Sequence, residues 1–331
     1  MTTALVLGAT GFIGGHIARA ALRRGWQVRG VRRRPGAVGH LGQEPIAWFD
    51  GDLDDPPSLQ PAFQGAEIVF HAAGYYPQTG GPVHHHVATA LRQTRTVLDA
   101  ARRGAVSRLV YISSLTTIGL PPPGASRLAN ESDRYLPGSI PRSAYYECKY
   151  AMESEVLRAD NDLASVVVNP TAVFGPGDVH RTLARLLLAV ARGWVVAWLP
   201  AQLNVVDVRD AARAAVRAAE AGSPGERYLL GGHNVTLREF LSTACRVAGV
   251  SPPRFELPLW CVDLAVLLSD LVPPLRLAGN HLRAIRSWQA YDCEKARREI
   301  GLTVRPLETT LADAYEWLAA QGHGLRRRSM V

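Results

Sequence analysis

The chain has 331 residues, of which 47% are hydrophobic and 20% charged, a composition typical of a folded globular protein. Its 37 Lys and Arg residues against 29 Asp and Glu residues give a formal net charge of +8, and its glycines and prolines follow no period. Disorder and a collagen-like structure are therefore excluded, and we expect one large domain or two coupled domains.

The basic balance does not predict a nucleic-acid partner, because the arginines are spread along the chain and form only small clusters, at Arg32–Arg34 and Arg326–Arg328. The four cysteines lie far apart, so we expect neither a zinc site nor a disulfide framework, and we expect a reducing, cytoplasmic compartment. No secretory signal is readable at the N-terminus. The longest apolar stretch, residues 257–272, is interrupted by Asp263 and Asp270, and we expect no stable membrane insertion.

Over residues 1–170, short apolar runs alternate with amphipathic helical segments, which predicts βαβ units and a doubly wound parallel α/β sheet. Two helical segments, His16–Arg24 and Thr89–Arg103, are ended by a glycine. The predicted strands are Ala4–Leu7, Gln27–Val31, Ile46–Phe49, Ile68–His71, Arg108–Ile112 and Ser165–Val168.

After Pro170 the alternation becomes irregular. A basic helical segment at Arg181–Arg192 precedes the apolar runs Trp194–Trp198 and Leu203–Val208, and Thr236 with Glu239 forms a capping box. We therefore expect residues 171–331 to form mainly a smaller, mostly helical substrate lobe, and residues 1–170 to form the sheet domain.

A glycine-rich turn joins the first predicted strand to the first helix. Gly8, Gly11 and Gly14 have the spacing GxxGxxG, and without Cβ atoms they let a pyrophosphate approach the free N–H groups of the helix. A lone glycine triplet is weak evidence, but its position between strand and helix predicts a dinucleotide cofactor.

Three arginines, Arg32, Arg33 and Arg34, follow the second predicted strand, where an acid commonly holds the adenosine ribose of NAD. Guanidinium groups suit a 2′-phosphate instead. The sequence therefore favours NADP over NAD, with a solvated basic turn as the alternative.

The candidate catalytic residues follow later strands. Tyr145 and Lys149 are four apart on a predicted helix and so share one face, where an ammonium group can lower the pKa of a phenol. Only two lysines occur in the chain, which makes a chance pairing rare. Ser114 lies just beyond the predicted strand that ends at Ile112, where its hydroxyl can hydrogen-bond a substrate oxygen. Ser113 is the alternative.

Together these motifs resemble the extended short-chain dehydrogenase/reductase family, also called the NAD-dependent epimerase/dehydratase family, over nearly the whole chain. The branch of dihydroflavonol-reductase-like and hopanoid-associated sugar epimerase proteins is the most similar. The matching segments are GATGFIG at 8–14, GDL at 51–53, HAAG at 71–74, YISS at 111–114, YxxxK at 145–149, NPTAVFGPGD at 169–178 and NVVDVRDAA at 204–212.

The resemblance implies a Rossmann sheet, to which residues 203–230 return, and a set of cofactor contacts. Tyr145 would be the proton donor or acceptor, and Lys149 would also hold the nicotinamide ribose. Together with the glycines and arginines argued above, the predicted cofactor-binding positions are Gly8, Thr10, Gly11, Phe12, Ile13, Gly14, Arg32, Arg33, Asp52, Leu53, Ala72, Ala73, Gly74, Tyr145, Lys149, Pro170 and Val173.

Two segments depart from the family pattern or add to it. Ala90 and Gln93 stand where an NVxGT motif has Asn and Gly, which puts a structural hydrogen bond in doubt. The adjacent histidines 84–86 cannot share one helix face, so we expect no metal site there. They can border the mouth of the active site.

The residues after Ser114 are Leu115 and Thr116, not the Asp–Glu pair of the family's sugar dehydratases. We therefore expect an NADPH-dependent oxidoreductase that reduces a ketone or aldehyde of a small, fairly apolar substrate. The alternatives are a nucleotide-sugar epimerase with tightly bound NAD and a non-catalytic, cofactor-sensing protein. The substrate and the oligomeric state stay open, with a homodimer among the alternatives.

Overall fold

A central sheet of seven parallel strands carries the fold of this computed structural model, which describes residues 1–77, 81–136, 138–140, 143–159, 163–178, 183–264 and 288–323. The strands are β1 (Thr3–Leu7), β2 (Gln27–Arg32), β3 (Ile46–Asp50), β4 (Ile68–His71), β5 (Arg108–Ile112), β6 (Ser165–Pro170), β7 (Ala172–Phe174), β8 (Ala197–Trp198), β9 (Gln202–Asp207), β10 (Arg227–Leu230), β11 (His233–Thr236) and β12 (Phe255–Glu256). The helices are α1 (Phe12–Arg23), α2 (Pro56–Phe63), α3 (Val83–Arg103), α4 (Ala144–Arg158), α5 (Ala184–Ala191), α6 (Val208–Ala221), α7 (Leu237–Ala248), α8 (Glu294–Ile300) and α9 (Leu307–Ala320).

The strand order of the central sheet is β10-β6-β5-β4-β1-β2-β3. The order reverses between β1 and β4, so crossovers run in both directions from the middle and the sheet is doubly wound. Because all seven strands are parallel, their carboxyl ends lie at one edge. The predicted doubly wound Rossmann fold is confirmed.

Both faces of the sheet are covered, which explains why its strands read as continuous apolar runs. In β1, Ala4 and Val6 belong to the core that contains residues of α1 and α6. The alternating residues Leu5 and Leu7 belong to the core on the other face, with residues of α2, α3 and α4. The sheet thereby becomes a rigid support for the loops at its carboxyl edge.

The second half of the chain contributes to both lobes. Strand β9 pairs with β7 and β11 in a small separate sheet, and α5, α7 and α9 pack against it. The chain then returns through α6, which packs on α1, and through β10, which pairs with β6. Residues 203–230 were predicted to return to the central sheet. Within this range, α6 packs on the core of that sheet and β10 joins it as a strand, whereas β9 belongs to the small sheet. The division into domains at residue 170 stays a prediction.

Among the described residues, no helix is both long and apolar enough to cross a membrane. Cys148, Cys245, Cys261 and Cys293 are unpaired thiols. The helix predicted to begin near Arg181 begins at Ala184 in the described part, while Arg181 itself, residues 265–287 and the basic residues 326–328 lie outside it.

Candidate active site

The glycine-rich turn lies at the carboxyl edge of β1 and at the N-terminus of α1. Gly8 has a φ of +84°, and a Cβ there would lie 2.8 Å from the carbonyl oxygen of Ala72. A Cβ on Gly14 would overlap the carbonyl oxygen of Gly8. Gly11 is the N-cap of α1 and supplies no side-chain cap, so the turn leaves the first N–H groups of the helix open to an anion.

Two further segments lie at the same carboxyl edge of the sheet. Ala72, Ala73 and Gly74 follow β4, and the Ala72 N–H donates to the Leu7 carbonyl at 2.9 Å. Asp52 and Leu53 follow β3, and the main-chain N–H of Asp52 donates to Ser58 Oγ at 2.9 Å. These predicted cofactor-binding positions thus lie at one edge of the sheet, together with Thr10, Phe12 and Ile13 of the turn itself.

The two arginines assigned to a cofactor phosphate differ in their contacts. The Arg32 Nε donates to Asp50 Oδ1 at 2.7 Å, and its guanidinium lies 5.7 Å from the centre of the Trp48 ring. Arg33 is exposed. Arg32 is therefore held by β3 in this structure, whereas Arg33 presents its guanidinium to solvent at the end of β2.

The three candidate catalytic side chains meet at the carboxyl edge of β5. The Tyr145 hydroxyl donates to Ser114 Oγ at 3.4 Å. Lys149 lies one turn along α4 from Tyr145, is 8% exposed, and has its Nζ 5.9 Å from the centre of the Tyr111 ring. A Cβ on Gly74 would lie 3.2 Å from that Nζ, so the end of β4 passes directly beside Lys149.

Burial sets the ionisation of this group. It raises the pKa of Tyr145 to about 12, with the Ser114 hydrogen bond opposing the shift. The net shift of the Tyr145 pKa is therefore upward, opposite to the expected lowering, because burial outweighs the Ser114 hydrogen bond. Burial also lowers the pKa of Lys149 to about 8, while Glu153 acts in the opposite direction. Tyr145 is therefore a proton donor at neutral pH.

Only one of the two adjacent serines faces Tyr145. Ser114 Oγ accepts from the Thr116 N–H at 3.2 Å as well as from Tyr145. Ser113 Oγ instead donates to Glu153 Oε2 at 2.6 Å, behind the strand end. This geometry favours Ser114 over Ser113 as the hydroxyl that can reach a substrate.

Sequence reasoning missed a buried polar cluster beneath the site. We call Ser113, Thr117, Glu153, Asn169 and Arg227 the Glu153 cluster. The sequence did contain a signal for this cluster. Glu153 lies four residues after Lys149, on the face of α4 that carries the candidate catalytic pair. An acid buried on that face needs hydrogen-bond or ion-pair partners, which indicates a polar cluster around it.

The histidine run lies in the first turn of α3 and does not act as a unit. His86 is buried and its Nδ1 is 2.8 Å from the Tyr75 hydroxyl, whereas His84 and His85 are exposed. The neighbouring Tyr76 has its ring 5.0 Å from the Tyr145 ring and is 40% exposed, so it borders the mouth of the site. Within the part of the chain that the structure describes, no cluster of side chains has the make-up of a metal site.

Two apolar segments of the second lobe are surface features where they are described. Trp194 is 67% exposed, and Phe255 of the neighbouring strand β12 is 65% exposed. Phe255 pairs with Ala197 of β8, three residues after Trp194. Pro170 and Val173, in contrast, are buried at the end of β6 and in β7, on the way from the central sheet into the second lobe.

The residues present fit a nicotinamide dinucleotide. Gly8 and Gly14 have no room for a Cβ, so the turn packs closely and leaves the N–H groups at the start of α1 open to a pyrophosphate. Beside Lys149, the Tyr111 hydroxyl is buried with no hydrogen-bond partner among the described residues. That orphaned donor lies next to Gly74 in the segment that would border the nicotinamide ribose. The open N–H groups of α1 and the Tyr111 hydroxyl thus lie at the same edge of the sheet.

Comparison with known proteins gives the same family. The sequence model of the "NAD dependent epimerase/dehydratase family" matches residues 4–231. Sterol demethylase protein B of Methylococcus capsulatus is 32% identical, over 97% of this chain and 99% of that protein. A ketoreductase of Stigmatella aurantiaca, named for a 3-oxo-4-farnesyl-dihydroquinoline-1-oxide, is 29% identical over 96% of this chain and 97% of that protein.

Among solved structures, a nucleoside-diphosphate-sugar epimerase from Pseudomonas aeruginosa superposes with a TM-score of 0.82 at 27% identity, covering 97% of this chain and 99% of that one. Its match extends over both lobes, whereas the family match ends just after β10. The chain therefore belongs to the NAD-dependent epimerase/dehydratase family and is an NAD(P)-dependent oxidoreductase of the extended short-chain dehydrogenase/reductase type.

Proposed function

We propose that this protein is an NADPH-dependent carbonyl reductase for a small, fairly apolar ketone or aldehyde. The observation that carries the proposal is the 3.4 Å contact between the Tyr145 hydroxyl and Ser114 Oγ, beside the glycine-rich turn and one helical turn from Lys149. NADPH, when bound, supplies the hydride that adds to the carbonyl carbon.

The chain's own residues supply the proton and the charge stabilisation. Tyr145 donates its phenolic proton to the carbonyl oxygen, so that an alcohol forms. Ser114 Oγ already accepts two hydrogen bonds, and its own proton is therefore available to the same oxygen as negative charge develops there. The ammonium of Lys149 favours the phenolate that remains after proton transfer.

The cofactor contacts follow from the residues at the sheet edge. Gly8, Gly11 and Gly14 would admit the pyrophosphate, and Lys149 would hold the nicotinamide ribose. Arg33 would bind the 2′-phosphate of NADP, since its guanidinium is exposed at the end of β2 while Arg32 is bonded to Asp50. The remaining contacts would come from Asp52, Leu53, Ala72, Ala73, Gly74, Pro170 and Val173.

Two observations support an apolar substrate. The second lobe exposes the large apolar side chains of Trp194 and Phe255. The two curated relatives carry names that refer to a sterol and to a farnesylated ketone. The substrate would then be held mainly by apolar contacts, with Ser114 and Tyr145 fixing its oxygen.

The second candidate is a nucleotide-sugar epimerase, which the similarity to the Pseudomonas aeruginosa structure favours. Such an enzyme keeps its NAD bound through the reaction, whereas a reductase must exchange NADP for NADPH at every turnover. A non-catalytic cofactor sensor is less well supported, because Ser114, Tyr145 and Lys149 are all present and adjacent.

The experiment is a screen of cyclic and acyclic ketones and aldehydes with NADPH, followed by the rate of Tyr145→Phe on the best substrate. We expect a fall in kcat on the order of 10²- to 10⁴-fold, because the proton donor is lost. Tyr150→Phe, on the same helix, is the matched control and should turn over at the wild-type rate. An equally active Tyr145→Phe would contradict the mechanism.

Cofactor titration completes the test. We expect NADPH to bind more tightly than NADH, and Arg33→Ser to weaken NADPH binding about tenfold while leaving NADH binding unchanged. Arg23→Ser, at the far end of α1, is the control. A purified protein that carries tightly held NAD, or that prefers NADH, would support the epimerase and overturn the reductase.

A further inference from the structure

Glu153 is the centre of the buried polar cluster beneath the candidate site, and its side chain is 3% exposed. Its Oε2 accepts hydrogen bonds from Ser113 Oγ at 2.6 Å, from Thr117 Oγ1 at 2.6 Å and from Asn169 Nδ2 at 2.7 Å. Its Oε1 lies 2.9 Å from Arg227 Nε. The carboxylate thus accepts hydrogen bonds from three side chains and forms an ion pair with a fourth, and these residues come from three parts of the chain: the segment after β5, strand β6 and strand β10.

The side chains that donate to Glu153 surround Ser114, the candidate catalytic serine. Ser113 and Thr117 lie on either side of Ser114, and the Asn169 Nδ2 also donates to the Ser114 carbonyl at 3.2 Å. Glu153 itself is on α4, the helix that carries Tyr145 and Lys149. The cluster therefore ties the main chain around Ser114 to the helix of its partner Tyr145.

Arg227 joins the cluster to the edge of the sheet. It is 2% exposed and makes hydrogen bonds with the carbonyl oxygens of Thr117 at 2.9 Å and Glu131 at 3.0 Å. A buried ion pair with this many additional hydrogen bonds has little freedom to rearrange, and such pairs are used to select one arrangement more than to add stability. The arrangement selected here includes the distance between Ser114 and Tyr145.

We propose that Glu153 is a positioning residue, whose carboxylate holds Ser114 in register with Tyr145 and Lys149. This inference rests on the proposed reductase function for its kinetic consequences only. Because the Ser114–Tyr145 contact is already 3.4 Å long, a small shift of either element removes it.

Glu153 has a second effect on the same helix, since its charge favours the protonated form of Lys149 and thereby opposes the fall of the Lys149 pKa to about 8. The other titratable groups near Lys149 are Tyr145 and Cys148 on α4, His71 on β4 and Tyr111 on β5. The pKa of His71 is lowered to about 3 by burial, so it stays neutral and adds no charge near pH 8.

The test compares Glu153→Gln with the double variant Glu153→Gln/Arg227→Met, which removes both buried charges and guards against misfolding caused by an unpaired arginine. Glu155→Gln, two residues along the same helix, is the control. In folded variants, confirmed by cooperative melting, we expect kcat to fall roughly 10- to 100-fold with KM nearly unchanged. A wild-type kcat in either folded variant would overturn the proposal.

A second readout does not depend on activity. The chain contains only Lys149 and Lys295, so labelling with ¹³C-lysine gives two resonances, which Lys295→Arg assigns. We expect the Lys149 resonance to titrate near pH 8 in the wild type and at a lower pH in Glu153→Gln. An unchanged titration would overturn the electrostatic part. If no carbonyl compound is reduced, the proposed reductase function is wrong. The titration then still tests whether the Glu153 carboxylate acts on Lys149.

Discussion

Ser113 and Ser114 show how far a sequence can predict a catalytic side chain. Both are strand-end hydroxyls at the edge where doubly wound sheets bind ligands, and nothing in the residue types separates them. The structure distinguishes them by their partners, since Ser113 donates to Glu153 and Ser114 accepts from Tyr145. The choice depends on a residue 40 positions away along the chain, which no local pattern reveals.

At this scale we expect Ser114→Ala to lower kcat roughly 10²- to 10³-fold, because it removes a hydrogen-bond donor to the developing oxyanion. Ser113→Ala should cost less than about tenfold, since it removes one of several hydrogen bonds to Glu153. Steady-state kinetics of both variants would check this. The reverse order of effects would assign the catalytic role to Ser113.

The pH dependence of turnover is set by the ionisation of Tyr145 and Lys149. Tyr145, with a pKa of about 12, stays protonated throughout the neutral range, so it does not limit reduction. Lys149, with a pKa of about 8, loses its charge as the pH rises through that value. We expect kcat/KM for carbonyl reduction to fall above about pH 8. In Lys149→Arg, whose cation does not titrate, the residual activity should lack this decline; a decline at the same pH would assign it to another group.

At the scale of elements, strand positions were predicted better than helix starts. The six predicted strands all occur, each within about two residues of its predicted ends, because buried parallel strands have a clear apolar pattern. The first helix begins at Phe12 instead of His16, and α3 begins at Val83 instead of Thr89. Their N-caps, Gly11 and Pro82, carry no side-chain acceptor, so the usual sequence signal for a helix start is missing.

The close packing of the glycine-rich turn against α1 can be tested by a single substitution. Gly14→Ala places a Cβ against the Gly8 carbonyl oxygen, so the helix start must move away from the turn. We expect a loss of about 1–3 kcal/mol in the free energy of unfolding and a clear weakening of NADPH binding. Gly42→Ala is the control, because its nearest neighbour would be 3.9 Å away. Thermal melting and cofactor titration would measure both effects; wild-type values for Gly14→Ala would contradict the role of the turn.

For the whole molecule, the residue pattern predicts the first six strands of the sheet, whereas the return of the second half of the chain was implied only by the family resemblance. The irregular pattern after Pro170 contains β10, which pairs with β6 and supplies Arg227 to the Glu153 cluster. A strand of four residues without alternation resembles many loop segments, and its partner in the sheet is far away in sequence. The long-range pairing therefore had no local signal.

We expect Arg227→Met to lower the free energy of unfolding by about 3–5 kcal/mol, because it leaves the buried Glu153 carboxylate without its partner. Arg217→Met is the matched control. Arg217 is 49% exposed and pairs with Glu220 on the surface, where such pairs contribute less than about 1 kcal/mol. Denaturant unfolding of both variants would give the two values, and equal losses would show that burial of the pair adds nothing.

The position of β10 at the edge of the central sheet has a consequence for the newly made chain. Ser114, Tyr145, Lys149 and Glu153 all leave the ribosome before Arg227 does, so every catalytic motif exists before the cluster that orders it. A chain interrupted before β10 would carry the complete set of motifs and still contain a carboxylate with no counterion. Activity would thereby depend on synthesis having passed through β10, and shorter products would stay inactive.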